Sequence, residues 1–307
     1  MGPQNTAAVT LSARHVRLMR SASYASVAMA LILIALKVWA WTATDSIALL
    51  SSLADSVLDL VASVITMFAV KVAVEPADRE HRFGHGKSEG IAGLAQALIV
   101  TGSAIYVGVE ATTRLFAPTQ LLEPQLGLAV MFASFLLTLS LVVFQSYVVR
   151  QTGSLAISAD AVHYKADLLT NTAILLAIFA SAQWGLIILD PLLGLVVVVL
   201  ILLSVRVIAV NAIDVLLDRE LPEEDRALIL EIASQDSRVE GLHDLRTRSA
   251  GANQFIQFHL ELDPEISLNE AHEICAAVES DVRSRFPTAE VFIHADPFGL
   301  EENRDPF

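Results

Sequence analysis

The sequence predicts an α-helical membrane protein, in which a six-helix transmembrane bundle precedes a small C-terminal α+β domain. The first observation is composition, because the 307 residues are 54% hydrophobic and only 18% charged. The mean hydropathy of +0.57 is too high for an ordinary soluble domain. The second observation is that long apolar segments recur through the first two thirds of the chain and end near Leu217. The third is the soluble pattern that follows them.

Six apolar segments have the length of membrane-spanning helices. About 20 apolar residues in a helix cross the roughly 30 Å of hydrocarbon in a bilayer. The connectors contain helix-breaking residues such as Pro76, Pro118 and Gly153. No A-x-A-like cleavage site follows the first segment, so residues 1–20 are interpreted as a retained N-terminal segment. The predicted transmembrane domain, 21–217, contains spans at 21–43, 47–74, 90–114, 125–149, 155–180 and 190–217.

Positive charges near the ends of these segments predict the orientation in the membrane. Lys and Arg are enriched in cytoplasmic loops. The loops on the other side contain essentially Arg114 alone. Both termini and the 75–89 loop are therefore predicted to be cytoplasmic. The residues on that side are Arg14, Arg17, Arg20, Arg79, Arg82, Lys87 and Arg150.

Residues 218–298 are predicted to form a cytoplasmic domain, followed by a short tail over 299–307. Pro222 opens a helix, and segments with alternating apolar residues then indicate strands. The predicted order αββαβ consists of a helix at 222–235, strands at 242–249 and 254–262, a helix at 267–286 and a strand at 290–295.

The charge balance excludes one class of partner and favours another. The formal charge of −14 at pH 7 argues against nucleic acid, since phosphate binding needs clustered Lys and Arg. A surplus of carboxylates suits cations instead. The single cysteine, Cys275, excludes an internal disulfide.

Polar residues in the second and fifth spans predict a binding centre within the membrane. Asp55 and Asp59 are four residues apart, so both carboxylates lie on one helix face. His163 and Asp167 repeat this spacing, with Asp160 one turn earlier. Asp55 and His163 each lie about 12 Å from one end of their helix, at 1.5 Å per residue. Because a carboxylate at that depth costs several kcal/mol unless it has a partner, these groups imply a ligand.

The residue types of this centre favour zinc. Three carboxylate oxygens and one imidazole nitrogen suit the tetrahedral shell that zinc accepts. Calcium and magnesium prefer more oxygen ligands, whereas iron(II), cobalt, cadmium and manganese remain open. Metal must displace protons, since only neutral His and ionised Asp coordinate it. Competition at a site reached alternately from each side is the basis of antiport.

Two cytoplasmic segments also contain residues suited to metal. In the 75–89 loop, Asp78, His81 and His85 are spaced to close a small chelate, with glycines beside the second His. In the C-terminal domain, the period of two places His259 on the polar face of its strand, and His294 and Asp296 on one face of theirs. With His243 and His272 elsewhere in the domain, these residues predict a second cluster.

Several motifs of the chain follow one another as in a known family: DSVLD, HRFGHGKSE, HYKAD, HDLRTRSAG, FIQFHLEL and IHADP. On these motifs the chain resembles the cation diffusion facilitator family from about residue 14 to about 298. The resemblance implies a homodimer in a bacterial inner membrane that exports zinc, or iron(II), cadmium or cobalt, in exchange for protons. It also implies a metallochaperone-like cytoplasmic domain that strengthens the dimer when it binds metal.

The resemblance implies three metal sites by position. In it, Asp296 bridges two cytoplasmic ions, while Lys87 and Asp218 match a charge interlock that holds protomers together. Ala295 departs from the pattern, since a close relative has Gln there, which weakens the shell of the second cytoplasmic ion. The implied ligands are Asp55, Asp59, His163 and Asp167 in the transport site, Asp78, His81 and His85 in the loop site, and His243, His259, His272, His294 and Asp296 in the cytoplasmic binuclear site.

Alternative functions explain less of the sequence. A membrane-anchored metal sensor without transport accounts for the C-terminal histidines but not for the ionisable residues within the spans. An intramembrane metalloprotease needs H-E-x-x-H, whereas Ala276 stands where the second His would follow His272. The chain has no P-loop motif, which disfavours an ATP-driven pump. A manganese-preferring exporter remains open, because all-oxygen sites in the family tend toward manganese and His at the fifth-span position tends toward zinc.

Overall fold

The computed structural model describes residues 12–44, 47–116, 125–184 and 188–299. Within these ranges, six long helices precede a domain of two shorter helices and three strands, which confirms the predicted fold class. The helices are α1 (Ala13–Thr44), α2 (Ile47–Ala73), α3 (Ser88–Phe116), α4 (Gln125–Thr152), α5 (Leu155–Trp184), α6 (Leu189–Leu216), α7 (Glu223–Ala233) and α8 (Leu268–Arg285). The strands are β1 (Val239–Ala250), β2 (Asn253–Leu262) and β3 (Ala289–Pro297).

The chain folds as two compact units. The helical unit contains Ala13–Ala73 and Ser88–Ile213. The second unit contains Val74–Lys87 and the described chain from Asp214 to Gly299, and we call it the cytoplasmic unit after its predicted location. Helix α1 begins at Ala13, earlier than the predicted 21. Hydropathy marks only the apolar part of a helix, whereas the polar residues around Arg14 continue the same helix.

Five helices of the described residues are long and apolar enough to cross a membrane. Helix α5 has a similar length, but Asp160, His163, Lys165 and Asp167 lower its apolar character. The fifth predicted span is therefore marked by its polar residues more than by hydropathy. The five candidate spans are Ala13–Ala43, Asp55–Ala73, Ser88–Phe116, Ala129–Thr152 and Pro191–Leu216.

The helical unit has large apolar residues outside and small or polar residues inside. Leu98 and Ile91 on α3 are 75% and 63% exposed, whereas Ala97 and Ala104 of the same helix are buried. In a soluble bundle the large apolar residues would fill the interior. Small residues at helix contacts and apolar residues outside are typical of a bundle in lipid.

A buried carboxylate fixes the N-terminal end of α5. Glu89 of α3 is 1% exposed and accepts hydrogen bonds from Ser154 Oγ at 2.8 Å and from the Ala156 N–H at 3.2 Å. The first N–H groups of a helix have no partner within the helix, so Glu89 supplies an acceptor that the bilayer does not. This contact fixes the position at which α5 begins, and it therefore also fixes the position of His163 within the bundle.

The cytoplasmic domain is a three-stranded sheet covered on one face by helices. Strand β2 lies in the centre, antiparallel to β1 and parallel to β3. Ile256, Phe258 and Leu260 of β2 point into the core with Ile274 and Val278 of α8. Since side chains alternate along a strand, the residues between them lie on the opposite face, away from the helices.

The 74–87 loop packs on the β1–β2 hairpin within the cytoplasmic unit. The Phe83 ring meets the Phe255 ring edge-on at 5.5 Å between centroids. The Arg248 guanidinium lies 4.8 Å from the Phe83 centroid and 4.7 Å from that of Phe255. Gly86 approaches the backbone of Ala250 so closely that a Cβ would collide with its carbonyl oxygen. Only glycine fits there, and its neighbour His85 is held in place as a result.

We expect Gly86→Ala to loosen this loop, because the added methyl group collides with the Ala250 backbone. Such overpacking costs about 1–3 kcal/mol. Limited trypsin digestion measures the change through cleavage after Arg79 and Arg82. Gly102→Ala is the control, since a Cβ there meets no described atom within 4 Å. Equal cleavage of both variants would contradict the packing of the loop.

Candidate metal sites

The first candidate site lies in the helical unit between α2 and α5. His163 Nε2 is 3.0 Å from Asp59 Oδ1 and 3.9 Å from Asp167 Oδ2. Asp59 and His163 are only 9% and 3% exposed, and Asp167 is half-buried. One ligand atom from each residue lies within 4.8 Å of the others. Two carboxylates and one imidazole at these distances can hold a divalent transition metal.

Asp55 does not join this cluster in the structure. Its side chain is exposed, and it precedes Asp59 by one turn on α2. It is not among the residues whose ligand atoms lie within 4.8 Å of one another. Asp55 therefore stays a predicted fourth ligand.

Lys37 of α1 supplies a positive charge beside this site. Its Nζ donates to Ser56 Oγ of α2 at 2.7 Å. The ammonium also interacts electrostatically with Asp59, Asp167 and Asp55. In the sequence, its signal is a single lysine within an apolar helix. The geometry shows that this lysine acts as a local counter-charge to the carboxylates.

The second candidate site is in the 74–87 loop. His81 Nδ1 and His85 Nε2 each lie 3.5 Å from a carboxylate oxygen of Asp78. Gly84 has a φ of 78° and donates its N–H to the carbonyl oxygen of His81 at 3.0 Å. This left-handed turn brings His85 back beside Asp78, so the structure unites all three predicted loop residues.

Backbone hydrogen bonds prepare Asp78 as a ligand. The N–H of His81 donates to its carboxylate at 2.6 Å and that of Glu80 at 2.8 Å. These hydrogen bonds hold the pKa of Asp78 below its ordinary value, and the one from His81 contributes most. The carboxylate is therefore ionised throughout the range from about pH 5 to 8 in which histidines titrate.

The third candidate site is on the open face of the cytoplasmic sheet. His243 of β1 pairs with His259 of β2, which in turn pairs with His294 of β3. Asp296 places its carboxylate 2.7 Å from His259 Nδ1, 3.6 Å from His243 Nε2 and 3.1 Å from His294 Nε2. Asp296 lies between the three histidines, which is the position expected of a carboxylate that bridges two metal ions. Strand register alone brings these residues together.

His272 is the predicted residue that the structure leaves apart from this cluster. It is exposed on α8, and α8 packs on the core face of the sheet. His259 lies on the other face, so the helix cannot deliver His272 to it within one chain. The analysis of the sequence missed Glu261, whose carboxylate is 3.5 Å from His243 Nε2. The alternation of side chains along β2 indicates this position, because it puts Glu261 on the same face as His259.

Lys87 and Asp218 form an ion pair within one chain. Lys87 Nζ donates to Asp218 Oδ2 at 2.9 Å, and Arg248 Nη1 is 3.3 Å from Oδ1. Burial acts to raise the pKa of Asp218, but the hydrogen bond and charge of Lys87, with the charge of Arg248, lower it overall. The pair joins the loop to the start of the cytoplasmic domain.

Comparison with known proteins matches most of the chain to cation efflux proteins. The model of the cation efflux transmembrane domain matches residues 23–217, and that of the cation efflux protein cytoplasmic domain matches 221–298. The cation-efflux pump FieF of Serratia proteamaculans is 42% identical and covers 92% of this chain and 94% of its own. Protein p34 of Rickettsia prowazekii is 40% identical over 94% of this chain and 96% of its own.

Among solved structures, the metal-bound C-terminal domain of the CzcD transporter from Thermotoga maritima is 28% identical. It covers 26% of this chain and 93% of its own, with a TM-score of 0.25.

We expect Asp296→Ala to remove zinc binding at the cytoplasmic cluster, because Asp296 contacts all three histidines. The loss should exceed the roughly 10- to 100-fold change typical of removing a supporting partner. Calorimetric zinc titration of the full-length protein in detergent measures it. Gln257→Ala, on the same face of β2, is the control and should bind as the wild type does. Unchanged binding by Asp296→Ala would contradict the assignment.

Proposed function

We propose a specific transport function for this chain, which belongs to the cation efflux family, also called the cation diffusion facilitators. It is a cation efflux transporter. Its proposed substrate is zinc, moved out of the cytoplasm in exchange for protons. Iron(II), cadmium and cobalt are proposed as further substrates. The Asp59–His163–Asp167 cluster carries the proposal, because it is a buried set of metal-binding groups within the helical unit.

The choice of zinc rests on the donor atoms of the central cluster. A nitrogen ligand disfavours calcium and magnesium, which take oxygen ligands. Asp59 and Asp167 supply two oxygens and His163 one nitrogen, with Asp55 as the proposed fourth ligand. Such mixed nitrogen and oxygen shells with four ligands suit zinc.

Proton exchange follows from the same ligands. A metal ion binds His163 only when the imidazole is neutral, and the carboxylates only when they are ionised. Metal entry from the cytoplasm therefore releases protons, and proton entry from outside releases metal. If the helices open the site to one side at a time, each transport cycle exchanges the two cations.

The remaining sites are proposed to support this cycle. The loop residues Asp78, His81 and His85 would bind metal at the cytoplasmic side. The cytoplasmic cluster would bind zinc and stabilise a homodimer, and His272 could join it only from the other protomer. Lys87 with Asp218 would contribute to the dimer contact. The histidines gathered on the open sheet face support zinc binding by this domain. The proposed location is the bacterial inner membrane, with both termini cytoplasmic.

We expect Asp59→Ala and His163→Ala to abolish zinc flux while leaving the fold intact. The cluster loses a ligand in each case, whereas the apolar packing and the contact of Glu89 with the start of α5 remain. Zinc uptake into proteoliposomes measures the flux, and the thermal unfolding midpoint reports the fold.

Lys165→Ala is the matched control for these variants. Lys165 is exposed on α5, two residues from His163 and on another side of the helix. The zinc flux of the Lys165→Ala variant should equal that of the wild type. Flux at the wild-type rate in Asp59→Ala or His163→Ala would refute the central site.

We expect His163→Asp to shift metal preference from zinc toward manganese, because it replaces the nitrogen ligand by oxygen. The ratio of initial zinc and manganese fluxes, measured in parallel, gives the result. An unchanged ratio in a variant that still transports would contradict the role of His163 in selecting zinc.

A further inference from the structure

One buried carboxylate of the helical unit belongs to none of the three sites. Asp160 of α5 is 0% exposed and lies one turn before His163. A carboxylate inside a membrane bundle costs several kcal/mol unless it is hydrogen-bonded. The hydrogen-bond partners of Asp160 therefore indicate its role in the bundle.

Three donors from three other helices converge on Asp160. Ser26 Oγ of α1 and Gln145 Nε2 of α4 each lie 2.6 Å from Oδ2. Gln96 Nε2 of α3 lies 3.3 Å from Oδ1. An ionised carboxylate accepts up to about four hydrogen bonds and donates none, so it matches a set of donors. At this one residue, α5 is tied to α1, α3 and α4.

The same hydrogen bonds extend to α2, which carries the other half of the central site. Gln96 Nε2 also donates to the carbonyl oxygen of Ala62 on α2 at 2.9 Å. Tyr164, next to His163, shares a 2.8 Å hydrogen bond with Ser63 of α2. These contacts lie about one turn from Asp59 along α2 and fix the two helices against each other.

We propose that Asp160 is a positioning residue for the central metal site. By accepting hydrogen bonds from α1, α3 and α4, it holds α5 at the rotation and depth at which His163 meets Asp59. The inference rests on the proposed function in one respect, that the central cluster binds the transported metal. Loss of a supporting partner of this kind lowers metal affinity about 10- to 100-fold without removing a ligand.

Asp160→Asn tests the proposal with almost no change in shape. The amide keeps one acceptor oxygen and must present its N–H₂ group to one of the donors that surround Asp160, which are Ser26 and Gln145 on one side and Gln96 on the other. Zinc titration of the full-length protein in detergent measures affinity, and the binding component that Asp59→Ala removes identifies the central site. We expect that component to weaken about 10- to 100-fold in Asp160→Asn.

A matched pair of serines separates this role from general packing. Ser26→Ala removes a donor to Asp160 and should weaken the same component. Ser134→Ala removes a hydroxyl that is also buried, at 5% exposure, but that makes no hydrogen bond to the residues the structure describes. It should bind zinc as the wild type does. This pair also keeps the test valid if Asp160→Asn fails to fold.

A double substitution supplies the rescue. Combining Asp160→Asn with Gln145→Glu exchanges donor and acceptor across the 2.6 Å contact, so most of the lost affinity should return. If Asp59→Ala removes no zinc component, the proposed function fails. If Asp59→Ala removes one but Asp160→Asn and Ser26→Ala bind with wild-type affinity, the inference alone is overturned, even where their unfolding midpoints fall.

Discussion

An ionisable group inside a membrane-spanning bundle is stable only where it has a partner, and the helical unit is organised around this constraint. Its buried carboxylates contact polar groups of other helices. Asp59 meets His163 at 3.0 Å, and Glu89 accepts from Ser154 at 2.8 Å. Large apolar residues occupy the outer surface instead. Because the polar contacts join different helices, they set the helix positions that apolar packing alone would leave free to slide.

The three candidate sites differ in their exposure to solvent, and this difference suggests a different role for each. Asp59 and His163 are buried, so a metal ion bound there would have to shed its water and compete with protons for the ligands. Asp78 is exposed and its pKa is lowered, so the loop would take metal directly from solution. The cytoplasmic cluster lies on an open sheet face. The two solvent-exposed sites suit metal capture and regulation of transport, whereas the buried site suits exchange of metal for protons.

Periodicity explains how much the sequence could predict. The four-residue spacing of His163 and Asp167 fixes a shared helix face, and the structure brings them together. Spacing cannot give the distance between helices, so it did not show Asp55 standing apart from the cluster. In the cytoplasmic domain, the period of two identified the face of His259. The pairing of β2 with β3, and the position of α8 behind the sheet, depend on tertiary packing, which is why His272 was grouped with residues it does not reach.

The central claim is that metal and protons exchange at one enclosed site. The most direct measurement uses wild-type proteoliposomes with equal zinc concentrations on both sides and an acidic interior. The account predicts that zinc accumulates inside against its own gradient while protons leave, and that a protonophore abolishes the accumulation. Zinc that only equilibrates, at a rate independent of the pH gradient, would contradict exchange.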